Sequence, residues 1–265
     1  MKKRILIFAF VLMALLIWLN KGPRLGGGTI RDFDPIRFSQ DMLYAAKTDG
    51  ETAAYLDTLA NVNLEYLAEE LNTDSRKLAF WLNAYNSLTQ IILKEDTSLA
   101  ETRFYSQDLI IMGKTSISLD VIEHGILRKS QLKYGFGYLS NWFASDFEKI
   151  FSIDTVEPRI HFALNCGATS CPPIAFYKPT QIDDQLEIAT RGYLETMARF
   201  NAEQNVVHAP AIMSWFRGDF GGESGIVTFL KRYNVVPDSV NPTLKFDDFD
   251  WKLRLNNFKV DSTST

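Results

Sequence analysis

Cysteine and histidine are scarce in this chain, and their scarcity excludes much. Two cysteines and three histidines stand among 265 residues. The cysteines form a lone C-x4-C pair, Cys166 and Cys171, without a second pair beside it. That pattern is no metal motif, so neither a metal nor another cofactor is expected. The G-x-S-x-G elbow is also absent, which argues against a serine hydrolase acting through Ser170. No basic run is followed by interleaved aromatics, and the net charge is −4, so no nucleic-acid partner is expected. There is no internal repeat and no linker inside the body of the chain. What is abundant is apolar: 46% of residues are hydrophobic and 13% aromatic. This composition builds a core and excludes a disordered chain.

One apolar run stands out. Lys2-Lys3-Arg4 precede Ile5–Leu19, fifteen residues without charge, glycine or proline, and Asn20-Lys21 follow. This is the pattern of a secretory signal. Residues 17–21 are too bulky for a small-x-small cleavage site, and no cysteine waits for a lipid anchor. An uncleaved signal-anchor over residues 1–21 is therefore expected, with a cleaved peptide and a core helix as the other readings. The three basic residues would stay in the cytoplasm and the rest would be exported. In a bacterium the body would be periplasmic or otherwise extracytoplasmic, with the membrane as a partner through the N-terminal helix. Residues 22–34, with Gly26-Gly27-Gly28, read as a flexible tether. Residues 35–256 read as one globular domain and 257–265 as a polar tail.

Helical periodicity dominates the first half of the body. Helices are expected over Ser39–Lys47, with Ser39 as cap, then over Glu51–Leu59 and Asn63–Leu71. The longest runs from Thr73 to Glu95, where Trp81, Tyr85, Leu88 and Ile92 fall on one stripe. Asn83, Asn86 and Gln90 lie beside that stripe at the same spacing. Buried amides need partners, so they either tie loops to the helix or line a pocket. Leu109–Leu119 reads as a hairpin turning at Gly113. A short helix then carries Asp120–Arg128, in which His124 and Arg128 share a face and Glu123 and Leu127 the neighbouring one. A guanidinium near His124 favours a neutral imidazole. Tyr134–Trp142 reads as an aromatic, glycine-rich loop.

The stretch from Pro158 to Pro173 holds both cysteines, His161, Arg159 and Asn165. Alternation over Arg159–Asn165 predicts a strand, with Ile160, Phe162 and Leu164 facing a core and His161 and Asn165 a common space. In an exported protein Cys166 and Cys171 are expected to form a disulfide that fixes the loop after this strand. Asp183 or Asp184 then caps a helix to about Phe200. Val206–His208 and Ala211–Met213 read as short strands around Pro210, and Gly225–Tyr233 as a small helix. Helices first and short strands later, without βαβ alternation, predict a single α+β domain with a small mixed or antiparallel sheet, following an N-terminal membrane anchor.

Several of these stretches resemble one family. Lys77–Asn86 (KLAFWLNAYN), Ile122–Arg128 (IEHGILR) and Pro158–Pro172 (PRIHFALNCGATSCP) are similar to segments of the family called domain of unknown function 547. Trp215–Phe220 (WFRGDF) resembles its aromatic-aromatic-x-x-Asp-Phe segment, and Phe249-Asp250-Trp251 its closing Tyr-Asp-Trp. The resemblance spans about Leu64 to Asn256. The tail Lys252–Asn256 is longer than the family's usual ending. A shared fold and site are implied, with the His124, Arg128, His161 and Cys166 stretches in one constellation, but no known reaction.

Two functions follow from these residue types. In the first, Arg128, Arg159, Asn83, Asn86, Glu123 and Asn165, with both histidines, line a polar pocket for a small molecule or an envelope peptide. The protein is then a membrane-tethered binding or interaction domain. In the second, Cys166 is a nucleophile activated by His161 or His124. The protein is then a thiol-dependent hydrolase or acyl transferase acting on an envelope peptide or amide.

Overall fold

Asp34 and Pro35 begin the first helix, α1 (Pro35–Lys47). The Asp34 carboxylate accepts from the Ile36 and Arg37 amides, and proline suits the first helical turn, where its missing N–H costs nothing. The expected start at Ser39 was one turn late. Ser39 is wholly buried inside the helix, and its hydroxyl donates to the Ile36 carbonyl. The computed structural model describes residues 27–259. The expected signal-anchor, the first residues of the tether and most of the polar tail lie outside the described residues.

Helices α2 (Ala53–Asn61) and α3 (Leu64–Glu70) follow, the latter capped by Asn63. Helix α4 (Asp74–Glu95) is capped by Thr73, whose hydroxyl accepts from the Arg76 amide. Trp81, Tyr85 and Leu88 are buried as the stripe predicts, but so are residues on nearly every other face. A helix covered all round sits at the centre of its domain, and α1 packs along it.

The amides on α4 hold distant chain segments. Asn83 donates to the Tyr177 carbonyl at 3.0 Å and accepts from the Tyr177 amide at 2.9 Å. Asn86 donates to the Ala163 carbonyl at 2.9 Å and accepts from the Asn165 amide at 2.8 Å. Gln90 accepts from the Asn256 amide. Asn86→Ala leaves two buried backbone groups bare. A loss of about 2 kcal/mol is expected, measured by urea unfolding; a loss near zero would mean that water replaces the amide.

The hairpin forms as expected from β1 (Ile110–Met112) and β2 (Thr115–Ile117). Gly113 and Lys114 both take positive φ, as a tight two-residue turn requires. Helix α5 (Asp146–Phe151) opens with a Ser145/Glu148 capping box, and its Phe147 and Phe151 pack edge-on against Trp81.

The expected strand at Arg159–Asn165 does not form. Pro158–Phe162 is a 3-10 helix, in which Glu157 accepts from the Arg159 amide and Pro158 opens the first turn. The alternation misled because no neighbouring strand supplies a ladder here. Asn86 satisfies the backbone at Ala163 and Asn165 instead. All of Arg159, Ile160, His161 and Phe162 are buried, so the apolar–polar alternation marks no exposed face.

Helix α6 (Ile182–Met197) has Asp183 and Asp184 in its first turn rather than as a side-chain cap. Strands β3 (Arg199–Asn201) and β4 (Val206–Ala209) pair antiparallel, and β5 (Thr243–Phe246) adds parallel to β4. Ala211–Met213 was expected to be a strand, but it opens helix α7 (Ala211–Trp215), because Pro210 ends the ladder and presets a helical start. Helix α8 (Gly222–Arg232) completes the second half. The α+β reading holds: one core surrounds α4, and a second gathers Phe162, Tyr193, Val207, Phe220 and Ile226.

Candidate functional site

Residues Val121–Leu127 wind as a π-helix. Such widened turns are uncommon and often mark functional positions. This one buries His124 and delivers Arg128 at its end. Arg128 is fully buried and forms a forked pair with Asp219, Nε to Oδ2 at 2.7 Å and Nη2 to Oδ1 at 3.1 Å. Its Nη1 lies 3.0 Å from His124 Nδ1. Arginine only donates, so Nδ1 is the bare acceptor and the His124 proton sits on Nε2. That nitrogen points towards Asp120, 3.6 Å away.

The 3-10 helix brings in His161 from the other side. Its Nε2 lies 2.8 Å from Asp219 Oδ2, and its ring stacks on Phe216 at 4.1 Å with planes 6° apart. The Arg128 guanidinium lies over the same Phe216 ring at 4.4 Å. Asp219 thus joins the two sequence-identified basic groups. Gly137 permits it: its φ is +85°, and a Cβ there would meet Asp219 Oδ1 at 2.2 Å.

His124, His161 and Phe216 line one end of a cavity of about 370 Å³, while Arg128, expected to line a pocket, lies buried behind them with Asp219. His124, His161, Glu123, Asp120 and Lys133 supply its polar groups, and Tyr85 and Tyr105 add hydroxyls. Trp215, Phe216, Phe249 and Trp251 form an aromatic wall, in which Trp215 and Trp251 stack at 5.4 Å. The bonded pair Cys166–Cys171 and Pro172 close another side. The Tyr105 hydroxyl donates to the Cys166 carbonyl at 2.6 Å.

Burial sets the charge states. It lowers the His161 pKa against the opposing pull of Asp219. Burial, helped by the Arg128 charge, lowers that of His124 well below its usual value. Both rings are neutral near pH 7. Glu123 moves the other way: burial raises it to about 7, opposed by Arg128. Burial alone would raise Asp219, but hydrogen bonds from His161 and Arg128 outweigh it and hold the carboxyl at about 2. Asp120 pairs with Lys133 at 2.7 Å.

The structure therefore gathers His124, Glu123, Arg128, His161 and Cys166, which the sequence had singled out. It does not bring the amides to the cavity. Asn83 and Asn86 are occupied by Tyr177, Ala163 and Asn165. Asn165 donates to the Pro172 carbonyl and accepts from the Gly167 amide. Arg159 is engaged with Glu157 and Asp183 away from the cavity. Asp219, Asp120, Lys133 and the aromatic wall escaped sequence reasoning as site residues. The signal for Asp219 was its place in the Trp215–Phe220 segment, between Gly218 and Phe220. Among the described residues no group of acidic, cysteine and histidine side chains is arranged to hold a metal.

Fold and site together define a class: an α+β domain with an aromatic-walled cavity above a buried Arg–Asp–His cluster. Within it, residues 68–194 match the family described as protein of unknown function, DUF547. The family likeness read from the motifs is thus shown. The matched region contains the α4, His124–Arg128 and His161–Cys171 stretches, whereas Asp219 and the Trp215, Phe249 and Trp251 wall lie beyond it. No curated protein and no solved structure matches the chain.

Proposed function

We propose that the chain is a ligand-binding domain whose cavity holds a small molecule by its two ends. An apolar or ring-shaped body lies against Trp215, Phe249 and Trp251, and a polar end meets His161 and Glu123. The observation that carries this reading is the state of His161. Its Nε2 is committed to Asp219, while no protein group among the described residues bonds its Nδ1, and the ring lines the cavity. A neutral ring held in this way offers a lone pair at Nδ1. Glu123, protonated over much of the neutral range, offers a donor. The complementary ligand end carries both a donor and an acceptor, as an amide, a carboxylic acid or a phenol does. The cavity volume suits such a molecule.

The N-terminal apolar run completes the proposal as a tether, with the domain on the exported side of a membrane. A panel of aromatic amides, carboxylic acids and phenols should include compounds that raise the melting temperature of the protein at pH 7. The same compounds should lose most of that effect on His161→Gln and on Trp251→Ala. An unchanged shift in both variants would place the binding elsewhere.

A second reading makes the same groups catalytic. Asp219 orients the ring and favours its protonated form, so His161 Nδ1 can take a proton while Glu123 supplies one. Hydrolysis of the panel's ester or anilide derivatives, abolished by His161→Gln, would favour it. The cysteine-hydrolase variant needs a free Cys166 thiol, whereas here that sulfur is bonded to Cys171.

A further inference from the structure

Thirteen large apolar side chains are left exposed among the described residues, and seven of them fall within residues 132–143. Trp142 is 89% exposed, Phe143 95% and Tyr134 79%. A cluster so concentrated marks an interaction surface rather than scattered surface residues. The loop is not loosely hung. Gln131 and Ser140 form a bridge, the Leu132 amide donates to the Leu139 carbonyl at 2.8 Å, and the Asn141 amide to the Ser130 carbonyl at 2.6 Å. The Gly218 amide donates to the Phe136 carbonyl at 2.7 Å, fixing the loop beside Asp219. The backbone thus holds the aromatic side chains out in solvent.

We propose that this loop is a membrane-docking surface that seats Trp142, Phe143, Tyr134 and Tyr138 in the interfacial layer of a lipid bilayer. Three observations select a bilayer as the occupant. The side chains are mainly Trp, Tyr and Phe, the types that settle at the boundary between headgroups and acyl chains. From Arg128 to Ser145 the chain carries no acidic residue but has Lys129 and Lys133, the latter paired with Asp120, in a protein of net charge −4. Such a face meets an anionic lipid surface without repulsion. Finally, only seven residues separate the end of the apolar run Ile5–Leu19 from Gly27. Even fully extended, that connection reaches only ~30 Å, so a run seated in the membrane keeps the body at its surface. Tyr134 and Phe136 also line the cavity, so docking would set the cavity mouth against the bilayer. That last consequence rests on the binding reading; the docking rests on the membrane tether proposed with it.

The test uses the full chain in vesicles of phosphatidylethanolamine and phosphatidylglycerol. A spin label is placed through Ser140→Cys, which keeps every aromatic side chain, or through Ile188→Cys as a control on α6. The native cysteines are bonded to each other. At position 140 the ratio of oxygen to nickel-chelate collision rates should be several-fold higher than at 188, and Trp142→Ala with Phe143→Ala should bring it down to the control value. Equal ratios at 140 and 188 would overturn the proposal, because the loop would then lie in water. Label–label broadening at 140 that disappears on dilution with unlabelled chain would overturn it too, because a second copy would then cover the loop.

Discussion

Asp219→Ala is expected to cost about 3–5 kcal/mol of folding stability, the largest effect of any single substitution at the site. The carboxylate is the shared partner of two buried groups, and both side chains of the ion pair are almost wholly shielded from water. Its removal leaves the Arg128 guanidinium in the interior with only the His124 nitrogen and the Phe216 ring for company. A buried charge without its counter-ion costs far more than the intact pair contributes. Urea unfolding at pH 7 measures the loss. The double variant Arg128→Met with Asp219→Leu should recover a large part of it, because no charge is then stranded. If the single variant loses less than about 1 kcal/mol, the pair is solvated in solution. The same carboxylate adds an acid-side dependence. Its folded pKa of about 2 lies below the unfolded value of ~3.9, so its contribution is complete above the unfolded value and is lost as pH falls through the folded one. The amount is on the order of 2 kcal/mol.

Glu123→Gln is expected to stabilise the protein above neutral pH by on the order of 3 kcal/mol. The Glu123 side chain is 15% exposed and faces the cavity, with the Tyr85 hydroxyl 3.2 Å from Oε2 and Asp120, Arg128 and Lys133 as the charges around it. Burial raises its folded pKa to about 7, well above the unfolded carboxyl at ~4.3. A carboxyl shifted upwards contributes fully below the unfolded value, and its contribution declines as pH rises through the folded one. The two histidines act in the opposite direction. Their folded pKa values are lowered, so their contribution is complete above ~6.5 and is lost as pH falls below it. Wild-type stability should therefore rise with pH to about 6.5 and then sag slightly as Glu123 ionises. The glutamine variant keeps an acceptor for Tyr85 and should hold its plateau to pH 8. Equilibrium unfolding across pH 4–8 tests this. An identical alkaline sag in the variant would assign it to another group.

Both effects come from residues whose environment is set by tertiary structure, and this marks the limit of the sequence. The helices of the first half were legible because their packing repeats every three to four residues. Thr73–Glu95 was placed to within a residue for that reason. The β1–β2 turn was legible because Gly113 tolerates a positive φ. His124 and Arg128 could be paired because four positions on one helical turn bring them together. The family likeness had the same local basis, carried by short motifs in order.

Most of the failures share a physical cause, which is that partners across the fold are not written in local periodicity. Alternation at Arg159–Asn165 promised a strand, yet the partner that arrived was the Asn86 side chain rather than a ladder. Ala211–Met213 has the composition of a strand, but Pro210 turned it into a helix. Asn83, Asn86 and Asn165 had the chemistry of a pocket, and tertiary contacts made them ties. Asp219 lies 91 positions from Arg128 and 58 from His161, so no spacing rule could join them. The sequence by itself determined the helical half, the residue types of the site and the apolar N-terminal run. Only the tertiary structure decided which carboxylate binds the buried cations, which side chains wall the cavity, and which aromatics stay in solvent. Burial and long-range pairing, and so charge state and exposure, exist only once the chain has folded.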